Sequence, residues 1–508
     1  MMGEFEVRGG AGGIHARLDD VDRTAEVLRA TAGDLGEVLR GAAGSEATIS
    51  RLATSPLALP AALQLQGRIS DFLLQSGSTA GSLVFTAGAL SNSAAAYRAT
   101  EQAAERIFAD AANAAGFALG HLTRTAIGVG AGVGVALGVV LLANPVTLTI
   151  VGGTSLWFVT TGRHTVVADA AGKQLQQIGT ALAHHPECAQ PLVEHVLPGF
   201  VSGFLGIPLP PSMYGGPQSS EDLAGLLLIT GRQFGLFDDT AVDVAGGRHR
   251  QLDPQRAEAP QDATEVLERT LASHRGKDNG DVQIEKIVDA DGTTRWIIYV
   301  PATTDWNPDP SRNGTDMTTN LETAAGHDSV MRETIRHAIE DAGIPPGDEV
   351  MMSGFSQGGM TAASLAADPE FRQRVNVTAV MTTGSPVGDF DIPEDVEVLS
   401  LEHAQDIVPT LDGTENPAGR NWTTARVELD YEALRDHPMF AGKSDAEIDA
   451  ALASPGFAHN GTLYTESMER LLASGDPSVR AWASGSAAGF FAGTTTARYS
   501  YKGTRRQP

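Results

Sequence analysis

The sequence predicts an α/β fold with a mostly parallel central sheet, preceded by an all-α N-terminal helical region. Two patterns predict it. In the second half of the chain, short apolar runs such as "EVMMSG", "VNVTAVMTTGSP" and "VEVLSLEH" alternate with amphipathic stretches. Apolar strands separated by helices form a parallel sheet covered on both faces. Near the start, apolar residues recur three and four apart at Leu18, Val21, Ala25, Leu28, Ala32, Leu35 and Leu39, which is one face of a helix. At 508 residues the chain exceeds one ordinary core, so two or three domains are expected.

A second helical seam runs through Leu83, Ala87, Leu90, Ala94 and Tyr97 toward Ile107 and Ala111, with "TSPLALP" breaking the helix between the two. Residues 1–120 therefore read as a long helical hairpin or small bundle. Residues 121–165 form an apolar, Gly-rich segment: no charge occurs from Thr125 to Gly162, and Arg124 and Arg163 stand at its edges. A membrane span needs about 20 apolar residues, so 125–162 suits one span, or two short ones broken at Asn144-Pro145. Gly128 and Gly132, like Gly130, Gly134 and Gly138, are spaced for close helix approach. A buried helical hairpin fits the same residues.

Residues 166–239 read as linker and cover helices, with the Pro- and Gly-rich "PLPPSMYGGP" from Pro208 to Pro217 a natural linker or cover segment. The α/β domain is expected over 240–480. Within it "DVQIEKIVDADGTTRWIIYVPA" reads as a hairpin turning at Asp291-Gly292. A helix is expected at about 328–343, stopped by Gly343 and a Pro pair. A strand follows at 349–354 and a helix at 358–367. Residues 481–508 read as a C-terminal tail.

The formal charge of −26 argues against a nucleic-acid partner, whose phosphates would be repelled. The single Cys188 forms no internal disulfide and lacks redox or zinc spacing. No metal or other cofactor is expected. The N-terminus shows no basic segment followed by an apolar one, so no secretory signal peptide is expected. Two placements stay open: membrane-associated or exported without a classical signal, and cytoplasmic.

The chemistry concentrates in Gly354-Phe-Ser356-Gln-Gly358. Its strand-turn-helix setting displays a serine on a tight turn, with the amides at the helix N-terminus facing a developing anion. A serine hydroxyl needs a base to become a nucleophile, and on this kind of sheet the chain order is serine, acid, histidine. Asp406, in "LSLEHAQDIVPTLDG", sits just past a strand and is preferred as the acid; Asp412, Asp389 and Asp391 are rivals. Downstream lie only His437 and His459. His459, in the loop "PGFAHNGTLYTE", is preferred, and His403 would reverse the order. The oxyanion donors expected are the amides of Gln357 and of Thr303, with Thr304 the alternative to Thr303. A Gly-rich loop that happens to hold a serine would contain the same residues.

Four segments of residues 240–475 resemble α/β-hydrolases of the class 3, fungal-type lipase kind: "YVPATTDW", "GFSQGG", "TTGSPVGDF" and "HAQDIVPTLDG". The resemblance implies the α/β-hydrolase fold and a Ser356-Asp406-His459 triad cleaving esters of lipids or acylated envelope components. Ala302 stands where that family has Gly, and Gln357 where Leu is more frequent. The segment "NPDPSRNGTDMTTN" is polar where lipase lids are amphipathic. The first 120 residues resemble the helical hairpins that open type VII secretion substrates, through Tyr97-x-x-x-Glu101, although the Trp-x-Gly turn of that family is absent. That likeness implies a helical partner or secretion chaperone for 1–120. An effector whose activity lies in the helical region, and a thioesterase or amidase using the same triad, are the alternative readings.

Overall fold

The computed structural model describes residues 2–10, 18–52, 59–129, 190, 192–205, 219–233, 237, 241–245, 258–273, 280–305, 311–452, 454 and 456–506. The protein is mixed α/β, with a nine-stranded sheet and an N-terminal helical region. It divides into two compact units: Ile14–Phe108, and Met1–Gly13 together with Ala109–Pro508.

The smaller unit is built from helix α1 (Leu18–Leu52) and the first part of helix α2 (Leu59–Val129). The predicted spacing is visible in its burial. Ala25, Ala32 and Ala87 are buried, and Leu28, Leu35, Leu39, Leu83 and Leu90 are half-buried. Arg29 on α1 donates to Ser91 on α2 at 2.7 Å, so the two helices lie side by side. The buried side of this pair is largely alanine, while Val27, Leu63, Leu74 and Phe85 stay exposed. Residues 97–101 are helical, but the side chains of Tyr97 and Glu101 lie outside the described residues.

The larger unit carries the sheet, in the order β1-β8-β7-β6-β5-β4-β3-β9-β2. Its strands are β1 (Met2–Gly9), β2 (Val242–Ala245), β3 (Val282–Val288), β4 (Thr294–Val300), β5 (Glu349–Phe355), β6 (Asn376–Thr383), β7 (Glu397–His403), β8 (Trp422–Leu429) and β9 (Thr494–Arg505). From β4 to β8 the strands are parallel. At both flanks they are antiparallel. The expectation of a mostly parallel sheet therefore describes the middle and not the flanks. The physical reason is connection length: β3 and β4 are joined by a tight turn at Asp291-Gly292, where Gly292 takes φ +88°, and a turn this short permits only antiparallel pairing. β1, β2 and β9 come from distant parts of the chain and need no helical crossover.

Helices cover both faces. Helices α3 (Leu197–Leu205), α4 (Ser220–Gln233), α5 (Ala263–Ala272), α6 (Met317–Ala324), α7 (Val330–Ala342), α8 (Gln357–Ala367), α9 (Asp445–Leu452), α10 (Gly461–Ala473) and α11 (Pro477–Ser484) complete the unit's longer elements. Strand alternation divides the core. Ile297, Tyr299, Met351 and Met381 face Leu267 of α5 and Leu463 and Met468 of α10. Ile298, Val300, Met352 and Val380 face Ile335 of α7 and Ala362 and Leu365 of α8. α7 begins on Ser329, whose side chain caps Arg332 N, and ends on Gly343 at φ +68°, as its sequence signals require.

Two segments read differently from the sequence. Residues 2–9, placed with the helical region, form β1 and pair with β8. Residues 494–505, placed in a tail, form β9 between β3 and β2. Their alternation is short and polar on one face, so the pattern alone does not distinguish edge strand from tail. Of the apolar segment 121–165, only the helical stretch to Val129 is described; the remainder, including most of 125–162, lies outside the described residues. Among the described residues no helix is long and apolar enough to cross a membrane.

The flank β3-β9 is pinned by one buried carboxylate. Glu285, 1 % exposed, accepts two bonds from Arg269 at 2.8 and 2.9 Å, one from Tyr299 Oη at 2.8 Å, one from Arg498 at 3.0 Å, and one from Thr495 Oγ1. Burial opposes its ionisation, but Arg269 and Arg498 hold its pKa below the ordinary value. Glu285→Ala leaves two guanidinium groups facing a gap, and is expected to destabilise the protein by about 3–5 kcal/mol. The urea midpoint of the tryptophan fluorescence transition checks this; an unchanged midpoint would show that the cluster contributes nothing.

Candidate active site

The turn between β5 and α8 is shaped by what its glycines lack. A Cβ on Gly354 would overlap the backbone of Gly358, one on Gly358 the carbonyl oxygen of Val300, and one on Gly359 the Ser385 hydroxyl. Packed this tightly, the chain turns from strand to helix within one residue. That residue is Ser356, at φ 57°, ψ −123°. Among the described residues only Phe237 is another non-glycine at positive φ. Such a conformation costs about 1–3 kcal/mol and persists where the surroundings impose it. Here Ser356 N donates to Thr383 O at 2.9 Å, and Ser356 O accepts from Gly359 N and Met360 N.

Asp406 lies in the turn after β7 and is 1 % exposed. Its Oδ2 accepts from His459 Nδ1 at 2.6 Å and from Tyr464 Oη at 2.7 Å, and its Oδ1 from Val408 N at 3.0 Å. Burial alone would raise its pKa; the adjacent His459 and these donors together hold it below the ordinary carboxylate value. With Nδ1 committed to Asp406, the nitrogen of His459 left for chemistry is Nε2. The imidazole stacks on Phe355, the residue before Ser356, at 4.6 Å between ring centroids. The structure thus brings Asp406 and His459 into direct contact and sets the ring against the serine turn. It forms no hydrogen bond between Ser356 Oγ and His459.

The other candidates are occupied elsewhere. Asp412 accepts from Gly388 N at 2.7 Å and Thr414 N at 3.2 Å; burial and the nearby Asp389 push its pKa well up. Asp389 accepts from Ser220 Oγ and Thr414 Oγ1, and Asp391 is exposed. His437 bonds Glu466 at 2.9 Å and accepts from Met439 N at 3.2 Å. His403 is buried, bonding Ala458 O at 2.7 Å and Ser467 Oγ at 2.8 Å, with its ring 3.7 Å from that of Tyr464. Burial lowers its pKa to about 4, so the ring is neutral at pH 7; Nδ1–H donates to Ala458 O and Nε2 accepts from Ser467. His403 therefore braces the loop one residue before His459.

The two predicted amide donors are both available. Gln357 N, at the first position of α8, and Thr303 N, just past β4, have no acceptor among the described residues. Thr304 N, by contrast, is held by Thr315 O at 2.9 Å. The Thr303 hydroxyl shares hydrogen bonds with the Asn320 side chain at 3.1 and 3.2 Å, and Gln357 Nε2 donates to Asp316 O at 3.1 Å. The polar segment beyond residue 310 thus clamps both the loop after β4 and the start of α8. Arg505 of β9 secures that clamp, reaching the Asp316 carboxylate, Asn313 O at 3.0 Å and Thr319 Oγ1 at 2.9 Å.

Ser356, Gln357 and Thr303 all line one cavity of about 200 Å³, to which α4 contributes Leu223, Ala224 and Leu227. Among the described residues no group of three His, Cys, Asp or Glu is arranged to hold a metal. Sequence reasoning missed Tyr464, Asn320, Asp316 and Arg505. A tyrosine five residues past a loop histidine carries no local signal, and a buried arginine in a basic run looks like any exposed one.

Comparison with protein-family models, curated proteins and solved structures finds no match.

The His403 pKa gives a pH signature. Its folded value lies below the ordinary histidine value of about 6.5, so between the two the unfolded chain binds more protons. The stability linked to His403 is complete above about pH 6.5 and is lost as pH falls toward about 4, by about 3 kcal/mol at full extent. His403→Gln, which keeps a donor and an acceptor but does not titrate, is expected to flatten the slope of unfolding free energy across that window. Equal slopes in both proteins would exclude this origin.

Proposed function

We propose that the larger unit is an α/β-hydrolase and a serine hydrolase of carboxylic esters, acting on lipid or acylated small-molecule substrates. The observation that carries the reading is the pairing of a buried Asp406–His459 hydrogen bond with a serine held at positive φ in the turn whose preceding residue, Phe355, stacks on the same imidazole ring. The parallel middle of the sheet, with Ser356 where β5 gives way to α8, supports the fold; the lipase-like segments noted in the sequence support the chemistry.

In this mechanism substrate enters the cavity and its carbonyl oxygen points between Gln357 N and Thr303 N. Ser356 Oγ attacks the carbonyl carbon as His459 Nε2 takes its proton, and the Asp406 carboxylate stabilises the imidazolium. The two amides bind the tetrahedral oxyanion, a contribution of about 10²–10³ in rate for each donor. His459 then protonates the leaving alcohol, and water repeats the sequence to release the acid. The open serine–histidine hydrogen bond is no obstacle, because such bonds often tighten only in the substrate complex.

Ser356→Ala is expected to abolish both nitrophenyl-ester hydrolysis and labelling by a fluorophosphonate. Labelling that survives in this variant would put the nucleophile at another residue. Asp406→Asn is expected to keep the fold and lower kcat by about 10³–10⁴-fold, measured on a soluble nitrophenyl ester; a loss below tenfold would remove Asp406 from the triad.

A further inference from the structure

The cavity beside Ser356 has a one-sided chemistry. Its walls are largely apolar, with Leu223, Leu227, Leu321, Met360 and Phe390 among the lining residues. The ionisable side chains that reach it are Glu221, Asp389 and Asp412, and among the described residues no Lys, Arg or His lines it. Glu221 on α4 and Asp389 on the segment after β6 are exposed to solvent as well as lining it. The neutral polar groups do not change the balance. Thr303 and Asn320 satisfy each other, and Ser220 donates to Asp389.

Gln357 is the independent observation. It lines the cavity and is 2 % exposed, its Nε2 is committed to Asp316 O, and its Oε1 is buried with no hydrogen-bond partner. A buried acceptor without a donor costs about 1–3 kcal/mol, and the uncompensated negative end of its dipole beside the cavity favours a nearby cation. Carboxylates on the lining and an unmatched carbonyl oxygen behind it favour the same thing, a positive charge, with or without an N–H.

We infer that the cavity selects esters carrying a cationic ammonium group and disfavours anionic ones. The inference rests on the ester-hydrolase reading and narrows its substrate class. Among the described residues, the side chains that a phosphate- or carboxylate-bearing lipid meets here include carboxylates and no cation, on a chain already at −26. A cation held about 6 Å from two exposed carboxylates, at the dielectric of water, gains about tenfold in binding, and the preference weakens with salt.

The test uses the full chain and two sets of esters. In the first the charge rides on the acyl part: nitrophenyl 6-aminohexanoate, hexanoate and hemiadipate. In the second it rides on the alcohol: butyrylcholine against 3,3-dimethylbutyl butyrate. At low ionic strength kcat/KM for the cationic member of at least one set is expected to exceed its neutral partner by about tenfold, with the hemiadipate below hexanoate. The set that responds shows which side of the ester bond carries the cation. Glu221→Gln, and Glu221→Gln with Asp389→Asn, are expected to bring that ratio toward one. Glu221 is exposed, so its variant tests charge without disturbing the core. Ratios within twofold in both sets, or a preference unchanged in both variants, would overturn the inference while leaving ester hydrolysis standing. Failure to hydrolyse any of these esters would overturn both.

Discussion

A carboxylate with almost no access to water must be surrounded by donors, and in this protein that requirement organises the candidate site. Asp406 has three: an imidazole N–H, a phenol O–H and a backbone N–H. They come from the loop before α10, from α10 itself and from the turn after β7. Removing any one leaves charge uncompensated in a medium where that is expensive. The ion therefore fixes where α10 sits against the sheet, and through His403 and Ala458 it fixes the loop that carries His459. The Tyr464 hydroxyl joins the parts, donating to Asp406 while accepting from His403 N.

The serine turn obeys a steric rule instead of an electrostatic one. Gly354 and Gly358 let backbone approach backbone so closely that no side chain fits between them, Gly359 makes room for the Ser385 hydroxyl, and this crowding holds Ser356 in a conformation it would otherwise leave. Gly384, at φ +56°, packs in the same way against the Tyr464 ring. Electrostatic and steric constraints thus meet at one tyrosine, which touches both the acid and the strand end beside the serine.

Much of this was legible because it is local. The Gly-x-Ser-x-Gly turn, the Asp-Gly hairpin and the Ser329-to-Gly343 helix are each set by a few adjacent residues, and each forms where the sequence indicates. Asp406 and His459 could be narrowed by chain order, which a fold imposes even on distant loops. The flanking strands were not legible, because β1 and β9 acquire their partners from hundreds of residues away and carry weak alternation. The brace formed by His403 was hidden for a related reason: a histidine at the end of a strand reads as a rival base until its burial is known. The buried side of α1 and α2 was readable as a stripe, but not that alanine would fill it while larger residues stayed outside.

Arg505 carries a consequence for biosynthesis. This arginine, on a strand inserted between β3 and β2, holds the segment that positions Thr303 and Gln357. While the chain is being made, the serine turn and its acid can assemble once α10 has left the ribosome. The loop that carries Thr303 lacks its anchor until β9 has emerged and slid into its slot. Under the hydrolase reading proposed above, the nascent chain would carry its serine without the donors for a tetrahedral oxyanion, and so remain chemically quiet until the sheet closes.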